Sequence, residues 1–221
     1  DATFSMASLL QNVKNTVGTM FERAASVLTD KGIEPNQFEV QFVFYRNYNA
    51  PAKSLLQCSS WESKPINLRA FMETIKPEYG WGAEAIELGL WQVNQEVQKG
   101  NNPSQVILIG DAPPNSNDDV ITKRSYRGQS YWESTKFSAP TFYKDEMQQL
   151  IEKNIPIHAF YVHEDAREAF QEIADASGGR CEALDIASSS GAELLTNLVT
   201  EEILRSIGGA SFVEHYRKSY R

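Results

Sequence analysis

The sequence predicts an α/β fold: a doubly wound, mostly parallel sheet with one antiparallel edge strand and helices on both faces. Three observations predict it. Two apolar runs, 106–109 and 155–162, have the length and composition of strands buried on both faces. Segments with apolar residues at three- and four-residue steps separate and flank them, as amphipathic helices require. An alternating, aromatic-rich segment at 38–45 is followed by turn residues Asn47, Asn49 and Pro51 and a second extended segment at 54–62. A connection that short makes the pair antiparallel.

The elements follow in order. Leu9, Leu10, Val13, Val17, Met20, Phe21, Ala24 and Leu28 mark one face of a long helix, which Gly32 ends as a left-handed cap. The antiparallel pair comes next. A helix at 67–76 stops at Pro77, and a Gly80-Trp81-Gly82 turn precedes a helix at 83–99. The strand at 106–109 leads into Gly110-Asp111. Residues 111–140 show no period and many polar side chains, so they read as a long surface loop bordering whatever lies at the strand end. Helices at 141–153 and 166–177, the latter capped by Gly178-Gly179, bracket the strand 155–162. A short strand at 181–184 and a helix at 194–207 complete a domain spanning 1–209. An aromatic and basic tail, 210–221, follows.

The chain has 221 residues, 41% hydrophobic and 23% charged, enough for a sizeable core. Its net charge of −8 argues against a phosphate-backbone partner, so no nucleic acid is expected. Lys123, Arg124 and Arg127, and Arg217, Lys218 and Arg221 in the tail, read as solvated charges. The two cysteines, Cys58 and Cys181, form neither a disulfide framework nor a zinc spacing, which suits the cytoplasm. No apolar run reaches the roughly 18 residues of a membrane span, so no membrane partner is expected.

In parallel sheets ligands bind at the carboxyl ends of strands. Asp1, Thr3 and Ser5 alternate in Asp-Ala-Thr-Phe-Ser-Met, so one carboxylate and two hydroxyls project to one side just before a helix. Asp111 ends a different buried strand. Oxygen donors of this kind suit a hard divalent cation, Mg²⁺ or Mn²⁺. Read separately, Ser5 is an ordinary helix cap and Asp111 an ordinary turn residue; it is their shared place at strand ends that points to a metal site.

These residues resemble those of von Willebrand factor A domains, whose metal-ion-dependent adhesion site has Asp-x-Ser/Thr-x-Ser after the first strand, a Thr from a middle loop and an Asp after the fourth strand. Asp-Ala-Thr-x-Ser-Met is similar to the motif of intracellular A domains attached to atypical α-kinases. The order of elements also resembles the family along nearly the whole chain, including 154–162 and 173–179. The resemblance implies a protein-interaction module in which a cation held by Asp1, Thr3, Ser5 and Asp111 keeps an open position for a carboxylate of a protein partner. Trp81 and Trp132 fall in segments bordering that site and are candidates for the partner-binding rim, with core packing the equal alternative. This sequence departs from the family in two ways. Where the middle Thr belongs it has Gly80-Trp81-Gly82-Ala83-Glu84, so Glu84 or water is the substitute ligand. The strand that belongs before Asp1 is missing, so about five apolar residues are expected upstream in a longer parent.

Two other readings stand beside this one. A metal-free interaction scaffold needs none of the ligands. A phosphohydrolase starting from a strand-terminal Asp wants a second acid two residues on, and Thr3 cannot serve. His158, inside a strand, reads as a core histidine; His163 reads as a polar loop residue.

Overall fold

A computed structural model describes residues 1–34, 37–185 and 191–221, except the side chains of Val13 and Asn15. One 3-10 turn, Phe4–Met6, leads into α1 (Ala7–Asp30). There follow β1 (Val43–Tyr45), α2 (Ala52–Leu55), β2 (Leu56–Cys58), α3 (Pro65–Glu73), α4 (Ile86–Gln98) and β3 (Val106–Gly110). Then come α5 (Asn117–Ser125), α6 (Gln129–Glu133), α7 (Tyr143–Glu152), β4 (Ile157–Tyr161) and α8 (Glu164–Ser177). The chain closes with β5 (Cys181–Ala183), α9 (Gly191–Gly208) and α10 (Ala210–Tyr220). The α/β architecture is the expected one, a parallel sheet with helices around it and a separate antiparallel pair. Among the described residues no helix is long and apolar enough to cross a membrane.

The chain packs as two compact units. The first comprises Asp1–Ala7, Val43–Gln57 and Pro77–Ala183. Its parallel sheet has the order β3-β4-β5, with Val106 opposite Ile157 and Ala159 opposite Cys181. The apolar run of β4 is buried, as its composition demands, with α8 packed on it. The turn from α8 into β5 requires glycine twice. Gly178 has φ 74°, and a Cβ on Gly179 would lie 2.0 Å from the Ile157 carbonyl oxygen. His158 is a core histidine whose Nδ1 accepts the Arg180 N–H at 3.3 Å. The antiparallel connection is held by the Arg46 N–H donating to the Leu55 carbonyl at 2.9 Å. The chain's first two residues bond to both sheets: the Asp1 nitrogen to the Ile109 carbonyl at 3.2 Å and the Ala2 N–H to the Tyr45 carbonyl at 2.9 Å.

Three expectations are corrected. The strand expected over 38–45 is regular only at Val43–Tyr45, because the Phe42 N–H is taken by the Ser59 hydroxyl at 2.9 Å. Its partner begins late, since Pro51 caps a helical turn over 52–55.

The second correction concerns 111–140, which is not a loop but carries α5 and α6. A capping box starts α5: the Ser116 hydroxyl accepts the Asp119 N–H at 3.1 Å, and the Asp119 carboxylate accepts the Ser116 N–H at 3.0 Å. The charges read as solvated are engaged. The Arg124 guanidinium donates to the Phe137 carbonyl at 2.9 Å and lies 4.6 Å from the Trp132 ring. Arg127 donates to the carbonyls of Tyr48 and Asn49 at 3.2 and 2.7 Å.

The third lies in the second unit, formed by Ser8–Phe42, Cys58–Lys76 and Leu184–Arg221. The residues expected as an aromatic and basic tail form α10, which packs Val213 and Tyr216 with Ala24, Val27 and Leu28 of α1 and Ile203 and Leu204 of α9. The Arg217 guanidinium grips Glu201 through two bonds of 2.9 and 2.6 Å, and Arg221 adds a third at 2.9 Å. The apolar face foreseen for α1 is buried at Leu9, Leu10, Val17, Met20, Phe21, Ala24 and Leu28; Val13's side chain lies outside the described residues. Gly32 takes the left-handed conformation, φ 74°.

Candidate functional site

The site belongs to the first unit and is built at the end of β3. Gly110 is closely packed: a Cβ there would stand 3.1 Å from the Phe170 ring and 3.3 Å from the Tyr45 hydroxyl, with the Asp1 Cβ at an ordinary contact of 3.8 Å. Asp1 then folds its own segment, its Oδ1 accepting the Thr3 N–H at 2.8 Å. That turn brings the hydroxyls of Thr3 and Ser5 to 3.2 Å from each other.

A second loop closes over them. The Glu78 N–H donates to the Ala2 carbonyl and the Phe4 N–H to the Tyr79 carbonyl, both at 3.1 Å. Between Tyr79 and Gly82 the backbone bends through positive φ at Tyr79 (68°), Gly80 (132°) and Gly82 (68°), sparsely populated geometry of the kind held at functional sites. Asn49 donates its amide to the Gly80 carbonyl at 3.1 Å. Glu84 is then pinned beside the segment following β3, its N–H on the Pro113 carbonyl at 2.8 Å and its carbonyl accepting the Asn115 N–H at 2.9 Å.

The result is a cleft of about 450 Å³ lined by Thr3, Phe4, Ser5, Tyr79, Trp81, Glu84, Asp111 and His163 among others. Glu84 is 4% exposed. Burial pushes its carboxyl up to about 7, against the Trp81 N–H and the Lys123 charge, which favour ionisation; the Asp111 charge adds to the rise. Glu84 Oε2 and Asp1 Oδ2 are both buried without a hydrogen-bond partner.

Behind the cleft lies a buried polar cluster. The Glu87 carboxylate accepts from the Tyr48 hydroxyl at 2.9 Å and the Asn115 amide at 3.1 Å. Burial raises it to about 7. The Lys123 ammonium donates to the carbonyls of Trp81 and Ala83, both at 2.7 Å, and to Asn115 Oδ1 at 2.6 Å.

The structure thus brings Thr3, Ser5, Glu84, Asp111 and Trp81 to one cleft, with Asp1 bonded directly behind Thr3. Trp132 is not at the rim. It is 1% exposed, its indole N–H donates to the Arg124 carbonyl at 2.8 Å, and its ring meets Tyr48 edge-on. His163 does line the cleft, where its Nδ1 accepts the Asp165 N–H at 3.3 Å as the cap of α8. The sequence makes Lys123 a solvated charge, where the structure buries it, and it does not single out Glu87. The signal for Lys123 was the Ser116-x-x-Asp119 box, which starts its helix; Glu87 carries no signal beyond an acid on the apolar side of α4.

The donors suit a hard cation better than a soft one. Among the described residues no three His, Cys, Asp or Glu side chains group closely enough to hold a metal by themselves. The hydroxyls of Thr3 and Ser5 lie 3.2 Å apart, near the roughly 3.0 Å edge of an octahedron with 2.1 Å ligand distances. The two orphaned carboxylate oxygens, Asp1 Oδ2 and Glu84 Oε2, are acceptors of the kind that a cation or its waters would satisfy.

No protein-family model matches this chain. No curated protein matches it either. Among solved structures, the chain is similar to a von Willebrand factor type A structure from Catenulispora acidiphila, with a TM-score of 0.55 and 16% identity over 92% of this chain. The chain has the fold of a von Willebrand factor A domain. It spans 41% of that neighbour's length. At this identity the likeness is one of fold, and the cleft sits at the end of β3.

Proposed function

We propose that this von Willebrand factor A-like chain is a protein-interaction module whose cleft holds a divalent cation, Mg²⁺ or Mn²⁺. Asp1, Thr3, Ser5 and Asp111 are its ligands, directly or through water, and an open position takes an acidic group of a partner protein. The observation that carries this reading is the pair of buried, unpartnered oxygens, Asp1 Oδ2 and Glu84 Oε2, beside a hydroxyl pair at ligand spacing. Bound, the cation supplies positive charge for an acidic ligand. The chain's part is to hold the hydroxyls in place through the Asp1–Thr3 turn and to shield the site with Tyr79 and Trp81. We assign the cleft to binding rather than catalysis because the residue two positions after Asp1 is a hydroxyl, where a phosphohydrolase needs a second acid. The half-buried Cys58 and Cys181 are not joined in a disulfide, which suits the cytoplasm as the compartment.

Calorimetric titration with Mg²⁺ and Mn²⁺ tests the proposal, with thermal unfolding alongside. A cation at 100 times its dissociation constant stabilises the native state by about 2.7 kcal/mol. Asp111→Ala removes the increment and leaves the fold. No heat and no thermal shift with either metal at millimolar levels overturns the reading in favour of a second, the metal-free scaffold. That second reading is favoured by a carboxylate, Glu84, standing where the cation site of the resembled family has a hydroxyl.

A further inference from the structure

We propose that the cleft, without metal, docks a lysine side chain of a partner protein, its ammonium on Asp111 and its alkyl stem along Phe4 and Trp81. The inference goes beyond the cation reading and does not rest on it.

The rim supplies the first observation. Phe4, Trp81 and Tyr126 are 68%, 38% and 71% exposed, unusual for large apolar side chains. They are not scattered. Phe4 and Trp81 line the same cleft, and the ring centroids of Trp81 and Tyr126 are 5.1 Å apart. The Phe4 N–H donates to the Tyr79 carbonyl at 3.1 Å, which ties the first aromatic residue to the loop that carries the second. Single exposed apolar residues need no explanation, but a group of them at a cleft marks a binding surface.

The charge of the cleft says what that surface takes. Asp111 lines it half-buried, and among the described residues no hydrogen bond or ion pair engages its carboxylate. Glu84 lines it too, 4% exposed, with an Oε2 that has no hydrogen-bond partner. The Lys123 ammonium offsets part of this charge, but it is already directed to oxygens of Trp81, Ala83 and Asn115. The chain's net charge of −8 adds a field of the same sign. Acids left uncompensated beside exposed aromatic rings suit a cation on an apolar stem. The ammonium meets the carboxylate, the methylenes cover the rings, and the ring faces attract the positive charge.

The donor requirement selects lysine. Among the described residues no three His, Cys, Asp or Glu side chains group closely enough to hold a metal ion by themselves. An ammonium asks for less, since one carboxylate and water satisfy its three N–H groups. A guanidinium brings five donors in a fixed fork, more than the single half-buried carboxylate can take, and those left over would be stranded.

The test uses the full chain in EDTA, so that its outcome is independent of whether the cleft binds metal. The probe is the blocked tripeptide Leu-Lys-Leu, read by calorimetry and by the NMR shift of the Trp81 indole N–H, which Trp81→Phe assigns. The tripeptide is expected to bind saturably and to move that signal. Acetylating its lysine keeps the stem and removes the charge, and should weaken binding about tenfold or more, as should Asp111→Asn. Trp81→Ala should weaken it about fivefold. Thermal unfolding establishes that each variant folds; should Asp111→Asn fail to fold, the acetylated probe on the unaltered chain decides. Equal binding of the two tripeptides, no binding, or binding that leaves the Trp81 signal unmoved overturns the inference, and so does tighter binding of Leu-Arg-Leu.

Discussion

The ammonium of Lys123 donates to the backbone carbonyl of Trp81 at 2.7 Å and lies 5.8 Å from the centre of the same residue's ring. One cation thus holds both the main chain and the side chain of the loop that roofs the cleft. Its charge also favours ionisation of the buried Glu84 and Glu87. Lys123→Met should therefore destabilise the fold by about 3 kcal/mol, since it strands the Asn115 side-chain oxygen, leaves the Trp81 and Ala83 carbonyls to the Asn47 amide alone, and removes a charge opposing two acids. Urea unfolding measures this; a midpoint equal to that of the unaltered chain refutes it.

The two glycines of the roof should answer differently to alanine. At Gly82 nothing lies within 4 Å of an added Cβ, so only the left-handed backbone is penalised, by about 1 kcal/mol. At Gly80 the Cβ meets Thr3 at contact distance, 3.4 Å, and φ at 132° lies farther from any conformation that alanine favours. Gly80→Ala should cost about 2 kcal/mol or more and disturb the hydroxyl pair. Thermal melts of the two variants rank them, and an equal cost contradicts the assigned contacts.

Glu87 makes stability depend on pH. Its carboxyl ionises near 4.5 when exposed and near 7 in the fold, because burial disfavours the charge. Between those values the folded chain holds a proton that unfolding releases. Its contribution is thus full below pH 4.5 and is lost as pH rises through 7, up to about 3 kcal/mol. Glu87→Gln keeps an amide in place of the acid and should flatten this slope. Unfolding free energies at pH 5 and pH 8 for both proteins check the sign, and a slope unchanged in the variant counts against the assignment.

In the second unit, Glu201 is the anchor of α10. Its carboxylate is buried, while Arg217 and Arg221 are each nearly half exposed and rehydrate when released. Glu201→Ala should cost about 2 kcal/mol and, more specifically, speed amide hydrogen exchange across 210–220. Protection there equal to that of the unaltered chain would show that Val213 and Tyr216 hold the helix alone.

Fold class and most elements were legible because burial on two faces leaves a plain trace. The strand 106–110 is an unbroken apolar run, and α1 repeats its apolar residues faithfully. The misreadings share one cause. In α5, and in α10 where it meets α9, long charged side chains do work usually assigned to apolar ones. Lys123 and Arg124 are buried by caging backbone carbonyls, and Arg217 closes over Glu201. A pattern of polar residues reads as solvent until the carbonyls they serve are known, and those lie far away in sequence. The cleft divides the same way. Asp1, Thr3, Ser5 and Asp111 announce themselves by chemistry at strand ends, and Glu84 by standing where a hydroxyl belongs. Trp132 carries no mark that separates a rim tryptophan from a buried one; the Arg124 carbonyl that takes its indole proton decides it.

The bond from the Asp1 nitrogen to the Ile109 carbonyl joins positions 108 apart. Such a closure is made late in folding, because the entropy of a long loop is lost before its contacts repay it. Helices such as α4 and α8 assemble from near neighbours, and β3 must find β4 across three intervening helices before its end exists to receive Asp1. The hydroxyls of Thr3 and Ser5 then meet Glu84 and Asp111 only in the finished molecule. A chain caught part-way would have helices and strands but no cleft, so the cleft is expected to close after the helical signal is complete.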